Sequence, residues 1–562
     1  MVGVLLRLQQ QFGQAHAAHS AVHEENNQQR DHHAEHVGKQ QYALPAGTSG
    51  IIKDRFCHEL RPIHRKLGIR EGQPKQWPVA RVASKERVTD DRYETRYIRS
   101  VRELMRKSPR FFAASALAGV ALRLLFLFLL PQVTDDSRVY ADLAKNWLHH
   151  GVYGITDSGQ VVPTYVRLPG YPAVLAAVFA VFGDDHYRAL LVLQVLFDLG
   201  TCMLIADIAR RIFSDRAAKP AFLLAVLCPF LANYAAAALT ETLEVFFTTL
   251  ALDLALIGFN TLDARKLRPW IGCGLAIAAA ILLRPDGGLL LVALGLYLGW
   301  MLIKRWRYGR PWKIVFAAGT LLAVFALAPL VPWTMRNVRT LHQFEPLTPR
   351  YANNPGDFVP LGFNRWVKTW MADYVSVEEV YWQEPGEKIE PAKLPARAFD
   401  NEQQRQRTLQ VLDTYNQDTE IGPELDEQFA SLAQERIHGH RLRYYLWLPL
   451  LRIADMWLRP RTELVPSDPR WWEFNDDVRG SVLAVGFGLI NLIYILLAIV
   501  GAVRERPIPF VGLLLMFVAV RSLFLGTLEN PETRYTLECY PVVIVLAAGV
   551  FARLQCRAHQ RI

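Results

Sequence analysis

Two adjacent carboxylates, Asp135 and Asp136, stand just beyond a long apolar run in "LLPQVTDDSRVYADLAKNW". Arg167 and Tyr171 follow in "RLPGYP", Glu241 in "LTETL", and Arg284 with Asp286 in "LRPDG". Trp333, Arg336 and Asn337 stand in "PWTMRN", and Arg534 with Tyr535 in "PETRY". Most of these residues stand at or near the ends of apolar runs, so loops far apart in sequence can bring them to one depth. A guanidinium is a fixed fork that bonds two oxygens, which suits phosphate. A partly desolvated carboxylate can act as a general base.

The elements that must carry these residues are apolar. About half of the 562 residues are hydrophobic, and long apolar runs alternate with short charged ones, the pattern of an all-α polytopic membrane protein. About ten spans are expected, at 111–131, 188–212, 219–236, 240–259, 270–284, 287–303, 313–332, 480–503, 507–526 and 535–552. The net charge of +10 would suggest nucleic acid only if the basic residues gathered on one soluble face. They lie instead largely in short loops, which argues against that class. With a cytoplasmic start, the loops holding "RRIFSDRAAK", "DARKLR", "KRWRYGRPWK", "RERP" and the tail "RLQCRAHQR" face the cytoplasm, and all five are basic, as the positive-inside rule requires. The acidic pair then faces outward.

The first outer loop, 132–187, has patterning of its own. Val139, Tyr140, Leu143, Ala144, Trp147 and Leu148 recur at helical spacing, with Arg138 and Asp142 at i,i+4 on the opposite face. This predicts an interfacial helix over 137–149, and "RLPGYPAVLAAVFAVFG" predicts a second one opened by Pro172. Residues 333–479 form the large extracytoplasmic segment, mixed but mainly helical, with helices expected over 399–417 and 424–458. The catalytic membrane module is 105–332, and 480–562 holds the last spans and a cytoplasmic tail. Residues 1–104 are polar and rich in Gln and His, without apolar periodicity, and read as a disordered extension. Met105 looks like a natural start, so the extension reads as a start-site artefact, and His32, His33 and His36 as a solvated tract rather than a metal site. The six cysteines support neither a disulfide framework nor zinc.

Structural roles compete for several of these residues. Asp135 and Asp136 suit a helix N-terminus, where acids complement the dipole, and so does Glu241. Arg284 and Asp286 flank Pro285 and could be a local ion pair. Trp333 suits an interfacial belt. Arg336, by contrast, runs against the positive-inside bias, which favours a ligand.

Taken in order, "TDD", "RLPGYP", "LTETL", "LRPDG", "PWTMRNVRTLHQFEPLT" and "PETRYTLECYP" resemble the bacterial GT-C glycosyltransferases close to the protein O-mannosyltransferases and the lipid A aminoarabinose transferases. The resemblance runs over about 105–553. It implies transfer of a sugar from a polyprenyl-phosphate donor to a lipid, glycan or protein acceptor at the outer face, with inversion. The expected setting is the bacterial inner membrane, with both termini cytoplasmic. It also implies that the first-loop acid is the catalytic base, mapping Asp135 onto the Asp of an Asp-Glu pattern from which Asp136 departs. Arg167, Arg284, Arg336 and Arg534 are then expected at the donor phosphate, and Tyr171, Glu241, Asp286, Trp333, Asn337 and Tyr535 around the substrate. Metal use differs within the superfamily, and no His/Asp ligand cluster decides it here: no cofactor is required and a divalent metal stays open. The rival class is a secondary transporter or lipid flippase, to which Asp198, Asp207 and Asp253, within or near spans, leave room.

Overall fold

The computed structural model describes residues 101–474, 477–504 and 508–559. The expected disordered extension and its histidines lie outside these residues, apart from 101–104.

The chain is a helical bundle with a single two-stranded hairpin among the described residues. Seven helical stretches are long and apolar enough to cross a membrane: Pro109–Leu129, Tyr187–Ile212, Glu241–Thr261, Pro285–Arg307, Lys313–Leu341, Val478–Arg504 and Thr533–Ala552. In chain order the elements are α1 (Pro109–Leu129), α2 (Asp135–His150), β1 (Gly154–Asp157), β2 (Gln160–Pro163), α3 (Gly170–Phe182), α4 (Tyr187–Ile212), α5 (Asp215–Val226) and α6 (Pro229–Tyr234). There follow α7 (Glu241–Thr261), α8 (Arg268–Leu283), α9 (Leu289–Arg307), α10 (Lys313–Leu327), α11 (Leu330–Leu341) and α12 (Leu361–Lys368). The last are α13 (Glu402–Asp418), α14 (Pro423–Gly439), α15 (Leu448–Leu458), α16 (Val478–Arg504), α17 (Val511–Leu525) and α18 (Tyr540–His559).

All ten expected spans are helical, but not all are continuous or full-length. The expected 219–236 span is two helices, α5 and α6, because Pro229 has no N–H to donate and forces Cys228 into an extended conformation. Arg123 of α1 answers this break. Fully buried, it donates to the carbonyls of Gly119 (3.1 Å), Ala225 (3.3 Å) and Val226, and its Nε lies 2.6 Å from Asp198 of α4. The C-terminal carbonyls that a broken helix leaves without partners are thereby satisfied within the bundle. Helices α8 and α17, with 16 and 15 residues, are shorter than a full span.

Residues 361–433 build a second core around Phe363, Trp366, Trp370, Leu412, Tyr415 and Phe429, from α12, α13 and α14. The helix expected over 424–458 breaks near Gly439 and resumes in α15.

Candidate active site

The first loop is assembled by its own hydrogen bonds. Thr134 caps α2, accepting from Ser137 N at 3.4 Å, while Ser137 Oγ accepts from Thr134 N at 3.0 Å. Asp135 and Asp136 are therefore the first two helical residues rather than the cap. The expected Arg138–Asp142 pair is absent from the first loop. Arg138 reaches Asp135 at 3.1 Å instead, and Asp142 accepts from Thr156 N (2.6 Å) and Oγ1 (2.8 Å), which fastens α2 to the hairpin. The hairpin itself escaped the sequence reading, because four-residue strands carry too little alternation; "TDSG" was its one signal. Past it, Tyr153 Oη donates to the carbonyl of Arg167 at 2.9 Å. Gln132 meanwhile bonds the backbone of Ala236 (3.0 Å) and Ala238 (2.9 Å), bringing the loop's start beside the α6–α7 turn.

The two acids part here. Asp135 points away, its side chain 69% exposed, with Arg138 as its partner. Asp136 turns inward: Oδ1 accepts from Arg167 Nη2 at 2.9 Å, and Oδ2 faces Arg534 Nη1 at 3.7 Å, beyond hydrogen-bond range. Burial alone would raise the Asp136 carboxyl, but Arg167, Arg534 and Arg284 outweigh it and hold the group below the ordinary carboxylate value. Beneath Arg167 lies the Tyr140 ring, 5.9 Å away, whose phenol burial pushes up to about 12, so it stays neutral.

Arg534 and Arg284 extend the cluster. Arg534 Nε lies 2.6 Å from Glu532 and its Nη1 3.8 Å from Glu241, while neither outer nitrogen makes a hydrogen bond to a described residue. Arg284 contacts Glu241 (2.9 Å), Asp286 (3.2 Å) and Glu244 (3.5 Å). Both guanidiniums lie over the Tyr535 ring, at 5.6 and 5.1 Å. Behind them Arg521 of α17, 1% exposed, gathers Glu538 (2.6 Å), Asp286 (2.7 Å) and Glu244 (3.6 Å). Glu244, Arg521, Glu532 and Glu538 are not among the site residues expected from the sequence. The i,i+3 spacing of Glu241 and Glu244 and an arginine inside the apolar run of α17 were the available signals.

The remaining expected residues lie at the edge of this cluster and make structural contacts. Arg336 donates to the carbonyls of Thr164 (2.7 Å) and Tyr153 and to Asn337 Oδ1 (3.0 Å), its guanidinium against both the Tyr153 and the Trp333 ring. Trp333 is buried against Tyr153 and donates to Leu347 O at 2.9 Å; Asn337 donates to Glu345 O at 2.8 Å. Tyr171 is buried against Tyr140, its hydroxyl donating to Gln194 at 2.8 Å. A Cβ on neighbouring Gly170 would stand 2.5 Å from Leu282 O, so only glycine lets α3 start against the end of α8, two residues before Arg284. Among the described residues, no group of three or more His, Cys, Asp or Glu is placed to hold a metal ion.

No curated protein sequence matches the chain. Among solved structures, the oligosaccharyltransferase AglB of Archaeoglobus fulgidus, in complex with an inhibitory peptide and a dolichol-phosphate, aligns with TM-score 0.45 and 14% identity over 82% of this chain and 52% of its own. The chain thus spans about half the length of that oligosaccharyltransferase. ArnT of Cupriavidus metallidurans bound to undecaprenyl phosphate aligns with TM-score 0.37 and 15% identity, over 79% of this chain and 78% of its own. Residues 163–333, which hold Arg167, Glu241, Arg284 and Asp286, match the family described as dolichyl-phosphate-mannose-protein mannosyltransferase. The mannosyltransferase resemblance carried by the motifs is borne out across that stretch.

Proposed function

We propose that the chain is an inverting glycosyltransferase that moves a sugar from a polyprenyl-phosphate donor to a hydroxyl acceptor at the outer face of a bacterial inner membrane. The observation that carries this reading is the convergence of Asp136, Arg167, Arg284 and Arg534, from three separate loops, at one end of the bundle. The basic loops at the opposite ends of the same spans support the outward orientation.

The roles follow from the contacts. Asp136, oriented through Oδ1 by Arg167, takes the acceptor proton on Oδ2. The acceptor oxygen attacks the anomeric carbon as the bond to the phosphate oxygen breaks, and the electron pair leaves with the lipid phosphate. One displacement inverts the centre. The leaving group needs cationic stabilisation more than a proton, and the outer nitrogens of Arg534, which bond no described residue, suit that work beside Arg167 and Arg284. Arg336 acts differently from the phosphate ligand expected of it: it ties the hairpin and the Arg167 loop to α11. The acceptor class, whether lipid, glycan or protein, is left to the large segment.

Purified protein in liposomes with radiolabelled undecaprenyl-phosphate mannose and related undecaprenyl-phosphate hexoses tests the reading. Release of undecaprenyl phosphate with label passing to an acceptor or to water is expected. Label carried across sealed vesicles on intact donor would instead mark a transporter.

A further inference from the structure

Residues 442–461 lie in the stretch expected outside the membrane, yet their surface is that of a membrane element. Leu442, Tyr445, Leu446, Trp447, Leu450 and Leu451, leading into α15 and along its first turn, are from 43% to 76% exposed. They recur at the three- and four-residue spacing of one helix face. A continuous apolar patch of this kind marks an interaction surface, and Tyr and Trp are the side chains that favour a membrane interface.

The opposite side of the same stretch is sewn into the bundle. A Cβ on Gly526, at the end of α17, would stand 2.9 Å from Pro449 O and from Ile453. Trp457 Nε1 donates to Ser522 of α17 at 3.0 Å. At the end of α15, Asn491 Nδ2 of α16 donates to the carbonyls of Trp457 (2.8 Å) and Arg459 (3.3 Å), and Thr536 Oγ1 to that of Met456 (3.3 Å). These are carbonyls that a helix end leaves free, and side chains of the bundle take them.

Asn491 fixes the depth. It is the middle residue of α16, which has 27 residues and exposes Val482, Leu489, Ile493 and Leu496 along its length. At about 1.5 Å per residue α16 is about 40 Å long, against a hydrocarbon core of about 30 Å. Even with the whole excess of about 10 Å on the side of the site, Asn491 stands about 10 Å inside the core. Backbone at that depth must be satisfied within the protein, and the bonds from Asn491 and Thr536 do so.

We propose that residues 442–461 re-enter the membrane from the side that carries the acidic and arginine cluster, with the face from Leu442 to Leu451 against the acyl chains of the surrounding lipid. The re-entrant stretch then moors the second core to the bilayer. Arg452, fully buried, donates to the carbonyls of Lys368 (2.6 Å), Met371 (2.9 Å) and Gly526 (3.2 Å), joining the end of α12 to the end of α17. Arg443, bound to Asp400 at 2.6 and 3.1 Å, ties the entry of the stretch to the start of α13. The assignment holds whether or not the chain transfers a sugar.

Bimane on Leu450→Cys, in full-length protein lacking Cys57 and Cys556 and placed in liposomes, tests it, with Gln406→Cys of α13, an exposed position, as the reference. Phosphatidylcholine brominated in its acyl chains should quench the label on Leu450→Cys at least about three-fold more than that on Gln406→Cys, and aqueous iodide should do the reverse. Iodide quenching at Leu450→Cys equal to the reference puts the face in water and overturns the proposal. A label that neither quencher reaches is covered by protein, a second copy of the chain included, and overturns it equally. Should Leu450→Cys not fold, Leu446→Cys on the same face is read in its place. The wild type gives an independent reading: a phosphatidylcholine with a diazirine in its acyl chain should label the peptide holding 442–451 as it labels α16. Label confined to the spans contradicts the proposal.

Discussion

Asp136 is held ionised by arginines whose other partner, in the proposed reaction, is the donor phosphate. This gives its protonation a definite sign. In the free protein Arg167, Arg534 and Arg284 depress the carboxyl, so the acidic limb of kcat/KM is expected below the ordinary aspartate value of about 3.9. A bound phosphodiester brings a negative charge against the same cations and raises the carboxyl, so the acidic limb of kcat is expected at higher pH than that of kcat/KM. Coincident limbs would place the base outside the arginine cluster. In sequence, Asp135 and Asp136 are adjacent carboxylates beyond a span, and the resemblance pointed to Asp135 as the base, whereas the contacts favour Asp136. What separates them is the direction each takes from the first turn of α2, one toward Arg138 and solvent, the other toward Arg167. Glu244, Arg521 and Glu538 were hidden for another reason: each sits inside an apolar segment, and only the packing of α7 and α17 against the turn before α18 shows that Arg521 gathers both acids.

The elements that place these side chains depend on close approach and on buried charge. Gly170 starts α3 against the backbone of Leu282, with no room for a Cβ. Gly170→Ala must push α3 from α8 and separate Arg167 from Arg284; transfer should fall at least ten-fold, while the far-ultraviolet circular dichroism of the bundle stays unchanged. Wild-type activity in this variant would show that the two loops need not be in register. Arg123→Ala strands Asp198 in the bundle and takes the side-chain donor from the Val226 carbonyl, at a cost of roughly 3–5 kcal/mol. The paired change Arg123→Leu with Asp198→Leu should cost less, and a Tm series in detergent distinguishes the two. Much of this level was legible. All ten apolar runs are helices, and α2 was visible from its amphipathic spacing. The broken α5–α6 helix was signalled by Pro229, but the preceding apolar run read straight through it. The two short strands and the ties from Arg336 to the Tyr153 and Thr164 carbonyls depend on long-range contacts that no local pattern records.

At the scale of the whole molecule, charge within the spans separates an enzyme from a transporter. Asp198 is paired with Arg123 at 2.6 Å, Asp253 with Arg211 at 2.9 Å, and Asp207 with both Arg210 and Arg211, so each of these acids is neutralised by a fixed arginine. The charge that remains available to a substrate is gathered at the end carrying the first loop. The proposed outward orientation can be tested by cysteine labelling in a background lacking Cys57 and Cys556. A membrane-impermeant maleimide should reach Gln160→Cys in the hairpin in intact cells, and Ala264→Cys in the "DARKLR" loop only after permeabilisation; the reverse pattern would turn the site to the cytoplasm. The most direct measurement compares Asp136→Asn with Asp135→Asn for transfer and for binding of undecaprenyl phosphate. A positioned general base contributes about 10²–10⁴-fold, so Asp136→Asn should lose at least 100-fold in kcat while still binding the carrier, and Asp135→Asn should stay within a few-fold of wild type. Full transfer by Asp136→Asn, or a loss confined to Asp135→Asn, would contradict the assignment of Asp136 as the base.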